Sequence, residues 1–131
     1  MQRARAHRGC AFGDLDGDGR VDVVVSVIGE AAEVLYNVTA DAGHRLDLQL
    51  RGRKSNRDGL GATVRLTGAS GRVQYNHVTT AVGYASSSDK RVHFGLGEDR
   101  SAREIEIRWP SGTTQILKDV AADQLLEVKE P

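Results

Sequence analysis

The sequence predicts an all-β fold: an antiparallel β-sandwich or open barrel, preceded by a β-hairpin or blade unit. Three observations lead there. About seven short segments in the C-terminal two-thirds alternate apolar and polar residues, the period of a half-buried strand. Gly-, Pro- and Asp-rich turn signals separate them. The single stretch with helical character, Lys118 to Gln124, reads as a loop with one turn at most.

Residues 9–37 are the first unit. A short strand over 9–12 leads into Asp14-Leu15-Asp16-Gly17-Asp18-Gly19-Arg20-Val21-Asp22. The β-branched run from Val21 to Ile28, bounded by Gly19 and Gly29, is a second strand. A third passes through Val34, Leu35 and Tyr36. In the second strand Val21, Val23, Val25 and Val27 fall on one face and Val24 and Ile28 on the other, so it calls for cover on both sides. Radially stacked propeller sheets supply such cover, and one unit of this size is a single blade. The expectation is a homodimer or a tight interdomain contact through that blade.

Residues 38–43 read as a linker, and 44–131 as the second unit. Leu46, Leu48 and Leu50 alternate with Asp47 and Gln49; Ala62, Val64 and Leu66 with Thr63 and Arg65; Val73 and Tyr75 with Gln74 and Asn76. Val92 and Phe94 flank His93, and Ile105, Ile107 and Trp109 alternate with Glu104, Glu106 and Arg108. Shorter strands follow near Thr114–Leu117 and Gln124–Val128. Turns are expected at Asp58-Gly59, Gly68 with Gly71, Gly95-Leu96-Gly97 and Pro110-Ser111-Gly112.

The aspartate loop is the clearest chemistry in the chain. Asp14, Asp16, Asp18 and Asp22 crowd into nine residues against one cation, Arg20. Gathered about a point, such carboxylates repel one another unless a cation bridges them. Oxygen-only ligands favour a hard ion, and a flexible protein cage favours Ca²⁺ over Mg²⁺. Gly17 and Gly19 permit the left-handed turns that wrap a short segment round an ion, and the Arg20 carbonyl is the fifth ligand. It is not an EF-hand: the twelfth position from Asp14 is Val25, within a strand, where a bidentate Glu is required. The alternative is an acidic surface hairpin that binds nothing.

With 39% hydrophobic and 27% charged residues the chain is globular. Eighteen basic and eighteen acidic residues balance and form no basic stripe, which argues against nucleic-acid binding. No apolar run approaches the ~18 residues of a spanning helix. Cys10 is the only cysteine, so no internal disulfide is expected. A four-aspartate calcium loop suits a compartment rich in that ion: secreted, periplasmic or cell-surface. The polar, basic first eight residues are no signal peptide, so an export signal is expected upstream. Asn37-Val38-Thr39 fits a glycosylation sequon.

Two resemblances now cover nearly the whole chain. Ala11-Phe12-Gly13-Asp14-Leu15-Asp16-Gly17-Asp18-Gly19 with Val21-Asp22-Val23-Val24-Val25 resembles an FG-GAP (VCBS-type) repeat, the blade of integrin-like propellers. Residues 44 to about 128 resemble the ASPIC/UnbV domain through Asn56-Arg57-Asp58-Gly59-Leu60-Gly61-Ala62, Gly83-Tyr84-Ala85-Ser86, His93-Phe94-Gly95-Leu96-Gly97 and Trp109-Pro110-Ser111-Gly112. The resemblance implies an extracellular or matrix module with calcium ligands at Asp14, Asp16, Asp18, the Arg20 carbonyl and Asp22. It supplies no catalytic residues. An integrin-like surface needs a complete propeller, and one blade is present here.

Other signals are weaker. Asn56, Arg57 and Asp58 could hold a sugar, or simply make a turn. Trp109, Tyr75 and Tyr84 could stack on a sugar ring, although Trp109 is in register with Ile105 and Ile107 and so belongs to a core. His7, His44, His77 and His93 lack zinc spacing. Ser86 to Ser88 lie beside Asp89 without a nucleophile elbow. The reading is a non-enzymatic calcium-binding module, the ion structural, that contacts a protein, matrix or glycan ligand. The alternative is a carbohydrate-binding module on a β-sandwich scaffold.

Overall fold

The computed structural model describes residues 4–131, so the extreme end of the basic N-terminal stretch lies outside the described residues. The described chain is all-β and divides into two compact units. One comprises the described residues up to Ala40 with Thr80–Asp89; the other comprises Asp41–Thr79 and Lys90–Pro131.

The first unit is an antiparallel meander of β1 (His7–Gly13), β2 (Asp22–Val27) and β3 (Glu33–Leu35). Phe12 faces Val23 and Gly13 faces Asp22 across the first pair. The register slips between His7 and Cys10, and there the Ser26 hydroxyl both accepts from the Gly9 amide and donates to its carbonyl. Thr80–Asp89 lies along the other side of β1. The Phe12 amide donates to Ser88 Oγ, and the Asp89 amide donates to the Phe12 carbonyl. A Cβ on Gly9 would stand 2.5 Å from Ser86 Oγ and 2.7 Å from the Tyr84 carbonyl, so this approach requires glycine. Full cover of the second strand on both faces is not what this unit provides. Val27 is buried, Val23 to Val25 are half-buried, and Ile28, beyond the strand end, is exposed.

The second unit is a sandwich of two open sheets. Its strands are β4 (His44–Arg51), β5 (Thr63–Gly68), β6 (Val73–His77), β7 (Val92–Gly97), β8 (Ser101–Arg108), β9 (Thr114–Ala121) and β10 (Gln124–Lys129). One sheet runs β10-β4-β7 and the other β6-β5-β8-β9. Between them lie Leu46, Leu48, Val92 and Phe94 from the first, and Val64, Leu66, Ile105 and Ile107 from the second. Each strand sends alternate residues inward, as its sequence period requires. Trp109, 3% exposed, joins this core and donates from Nε1 to Gln115 Oε1 at 3.0 Å. It is a core residue, not a sugar-stacking surface.

Three expectations need correction. β10 runs parallel to β4, so one sheet is mixed, not antiparallel. The chain leaves β9 in one sheet and crosses at Ala122-Asp123 to the other. Asp123, with φ 58°, there accepts from His44 at 2.6 Å and from the Arg45 amide at 3.2 Å. Residues 118–121 are strand, not loop: Lys118 faces Glu104 and Val120 faces Ala102. Their polarity reflects an edge strand with one wet face. The third correction concerns β6, whose sides are reversed. Gln74 and Asn76 reach the β7 carbonyls of Gly95 and His93, at 2.9 and 3.1 Å, while Val73 and Tyr75 face solvent. Exposed carbonyls on the edge of β7 need donors, and that requirement outweighs burial of a valine and a tyrosine.

The Glu130 carboxylate organises the end of this sandwich. It is 1% exposed. Oε2 accepts the successive amides of Arg53, Lys54 and Ser55 at 2.7, 2.8 and 2.7 Å, and Oε1 accepts the hydroxyls of Ser55 and Ser111. Burial by itself raises the pKa. The hydroxyl of Ser111, with the amide and hydroxyl of Ser55 and the amide of Arg53, outweighs it and brings the group from 4.5 to about 2.

Three outcomes follow. Ile105→Ala, which empties a fully buried site, should cost about 3 kcal/mol in urea unfolding followed by Trp109 fluorescence. Ile116→Ala, on the exposed face of the adjacent strand, should cost less than about 0.5 kcal/mol. The folded pKa of Glu130 is depressed, so its contribution is complete above about pH 4.5 and is lost as pH falls toward 2. Acid titration of urea midpoints should therefore show a shallower decline over that window in Glu130→Gln.

Candidate metal loop

The aspartate loop joins β1 to β2. Asp14 follows β1 directly, and Asp22 opens β2 opposite Gly13. Gly17 and Gly19 both have φ 81°, the left-handed turns that their absence of Cβ allows. Local hydrogen bonds shape the interior. Asp14 accepts the Gly17 amide at 2.8 Å and the Gly19 amide at 3.0 Å. Asp16 accepts the Asp18 amide at 3.2 Å, and Asp18 accepts the Arg20 amide at 2.8 Å. The Arg20 guanidinium also pairs with Asp18, while its Nε donates to the Asn37 carbonyl at 2.6 Å.

This folding brings three of the predicted ligands together. Asp14, Asp16 and Asp18 each offer a carboxylate oxygen, and these oxygens lie within 4.8 Å of one another. Asp14 and Asp18 are half-buried and Asp16 is exposed. The donor set, carboxylate oxygen alone, fits a hard divalent cation and no soft one. Acidic groups on a surface also occur without any ion.

Asp22 stands in a different position. It is 1% exposed; Oδ2 accepts the Leu15 amide at 2.9 Å and Oδ1 accepts the Asn37 amide at 2.8 Å. One carboxylate thus holds the start of the loop and the end of the strand region together. The Asn37 and Leu15 amides lower its pKa, burial opposes them, and Arg20 adds a smaller lowering. The spacing of the aspartates pointed to Asp22 as a ligand. Its bonds to two amides 22 residues apart in sequence, at positions 15 and 37, needed the fold to become visible.

The remaining sequence signals resolve into structure. Asn56 turns back on Leu60, accepting its amide and donating to its carbonyl, both at 2.8 Å. Asp58 accepts from Lys90 at 2.6 Å, and that bond holds its pKa down. Asn56 and Asp58 are accordingly turn and ion-pair residues. Ser86 donates to the Tyr84 carbonyl. His7 pairs with Glu33 and His93 with Asp47. Among the described residues the aspartate trio is the one acidic, Cys or His group with metal-like spacing. Cys10 is a free, half-buried thiol in β1.

Residues 52–131 match the sequence profile of the family described as "ASPIC and UnbV". Over 120 residues the chain is 29% identical to "Cartilage acidic protein 1" of Mus musculus and equally to that of Homo sapiens. The alignment covers 89% of this chain and 18% of either relative. The chain thus spans under a fifth of the length of these curated relatives.

If Asp22 acts as the clip described, Asp22→Ala should speed amide exchange at Leu15 and Asn37 in calcium-free buffer. Asp16→Ala, whose side chain accepts the Asp18 amide within its own loop, should leave both amides protected.

Proposed function

We propose, for a chain that belongs to the ASPIC and UnbV family, that it is a non-enzymatic, extracellular interaction module in which Ca²⁺ rigidifies the β1–β2 loop. The observation that carries the reading is the convergence of Asp14, Asp16 and Asp18 oxygens within 4.8 Å. These three would hold the ion, with the Arg20 carbonyl and Asp22 as further candidates. Bound there, Ca²⁺ supplies charge neutralisation and fixed geometry, no reaction. The protein's own residues do the rest: Gly17 and Gly19 bend the loop, and Asp22 ties it to the sheet.

Similarity to proteins named for cartilage supports the extracellular placement. No helix among the described residues is long and apolar enough to cross a membrane. The three-stranded meander supports the reading of residues 9–37 as one blade of an FG-GAP-type propeller. Exposure of Val34, Leu35 and Tyr36 on and beyond its edge strand supports a neighbouring sheet or second chain against it.

Calorimetric titration of EDTA-stripped protein should give one saturable Ca²⁺ site, with Mg²⁺ much weaker. A native-state ligand at a hundredfold excess over Kd stabilises by about 2.7 kcal/mol, so calcium should raise the melting temperature of the wild type. Asp16→Ala and Asp18→Ala should each abolish most of that rise. An unchanged calcium shift in both would exclude these ligands.

A further inference from the structure

The reversal of β6 leaves an aromatic where the alternation pattern would bury it. Tyr75 is 76% exposed, on the outer face of the β6-β5-β8-β9 sheet. Register defines its neighbours. Tyr75, Arg65 and Glu106 form one row across β6, β5 and β8, and His77, Thr63 and Arg108 form the next row on the same face. Thr63, the short central member, stands between the longer His77 and Arg108, so the surface dips there. The result is an open depression of about 630 Å³ lined by these residues.

Its electrostatics are internally balanced. Arg65 pairs with Glu104 at 3.4 Å, and Arg108 with Glu106 at 2.7 Å. Each guanidinium keeps further N–H donors beyond the bond to its carboxylate, and Glu106 keeps a second oxygen as acceptor. A planar ring stands beside two guanidiniums and one carboxylate of the lining, and Glu104, just outside it, offsets the second guanidinium. Fixed polar groups around an apolar surface specify a ligand's orientation. An anion would meet Glu106 and guanidiniums already paired with carboxylates, and a cation would meet Arg65 and Arg108. A neutral ligand with adjacent hydroxyls and a C–H face meets only partners.

We propose that this basin binds a neutral glycan chain of hexose type. Tyr75 is its stacking platform, and Arg65, Arg108 and Glu106 are its hydrogen-bonding residues. The site lies wholly within the sandwich unit and is independent of the aspartate loop and of calcium.

The test is amide-resolved NMR titration of the full chain, in EDTA, with cellohexaose, mannohexaose and laminarihexaose. At least one should give saturable shifts concentrated at residues 63–65, 75–77 and 106–108. Tyr75→Ala should weaken that binding by about tenfold or more. Its exposure means the rest of the spectrum should stay unchanged. Tyr75→Phe should retain affinity, and so should Tyr84→Ala, which removes an equally exposed tyrosine of the other unit. No shifts with any of the three at millimolar concentration, shifts centred elsewhere, or full binding by Tyr75→Ala would each overturn the proposal. Binding of heparin alone, lost at high salt, would overturn it too, by showing a surface selective for anions. Because EDTA is present throughout, failure here leaves the calcium reading untouched.

Discussion

Five donors converge on one buried carboxylate, and the sandwich unit is arranged around that fact. Glu130 lies one residue beyond β10, its amide bonded to the Arg51 carbonyl. Three successive backbone amides, at 53 to 55, form a concave nest of the kind that holds anions. Here the anion is part of the same chain. Through Ser55 and Ser111 the carboxylate also reaches the turn that follows Trp109. Three segments far apart in sequence thus share one acceptor. An uncompensated charge in that position would be strongly unfavourable, and the completeness of its hydrogen bonding makes the burial tolerable.

Much of this architecture was legible in the sequence because its signals are local. Leu46, Leu48 and Leu50, or Ile105 and Ile107, can occupy a core only by alternating, and the structure buries all five. Asp58-Gly59 and Pro110-Ser111-Gly112 mark turns through their own dihedral preferences. The aspartate loop was readable for the same reason: its spacing is its geometry, and Asp14, Asp16 and Asp18 do converge.

What stayed hidden depends on partners far along the chain. Nothing near Glu130 announces that amides at 53 to 55 await it. The direction of β10 relative to β4 is set by a crossing at Ala122-Asp123, and alternation carries no information on strand direction. For β6, period two was right and the choice of face was wrong, because Gln74 and Asn76 serve β7 carbonyls that belong to a segment about twenty residues later. Asp22 shows a similar limit. Its side chain is in register with the other aspartates by sequence, yet both its oxygens accept amides from the flanking segments.

The parallel pairing of β10 with β4 bears on how the domain is made. β4 is the middle strand of its sheet, and its partner on one side, β10, follows it in sequence only after five other strands. Synthesis proceeds from the N-terminus, so β4 must wait with an open edge while β5 to β9 are added. Pairings so distant in sequence close slowly, since a long loop must be ordered before any contact rewards it. During that interval the nascent chain presents a strand with one open edge, bearing Leu46, Leu48 and Leu50. Beside them Gln49 and Arg51 stay half-buried and polar, and Asp47, buried in the finished sheet against His93, is a charge that resists stray pairing of that edge.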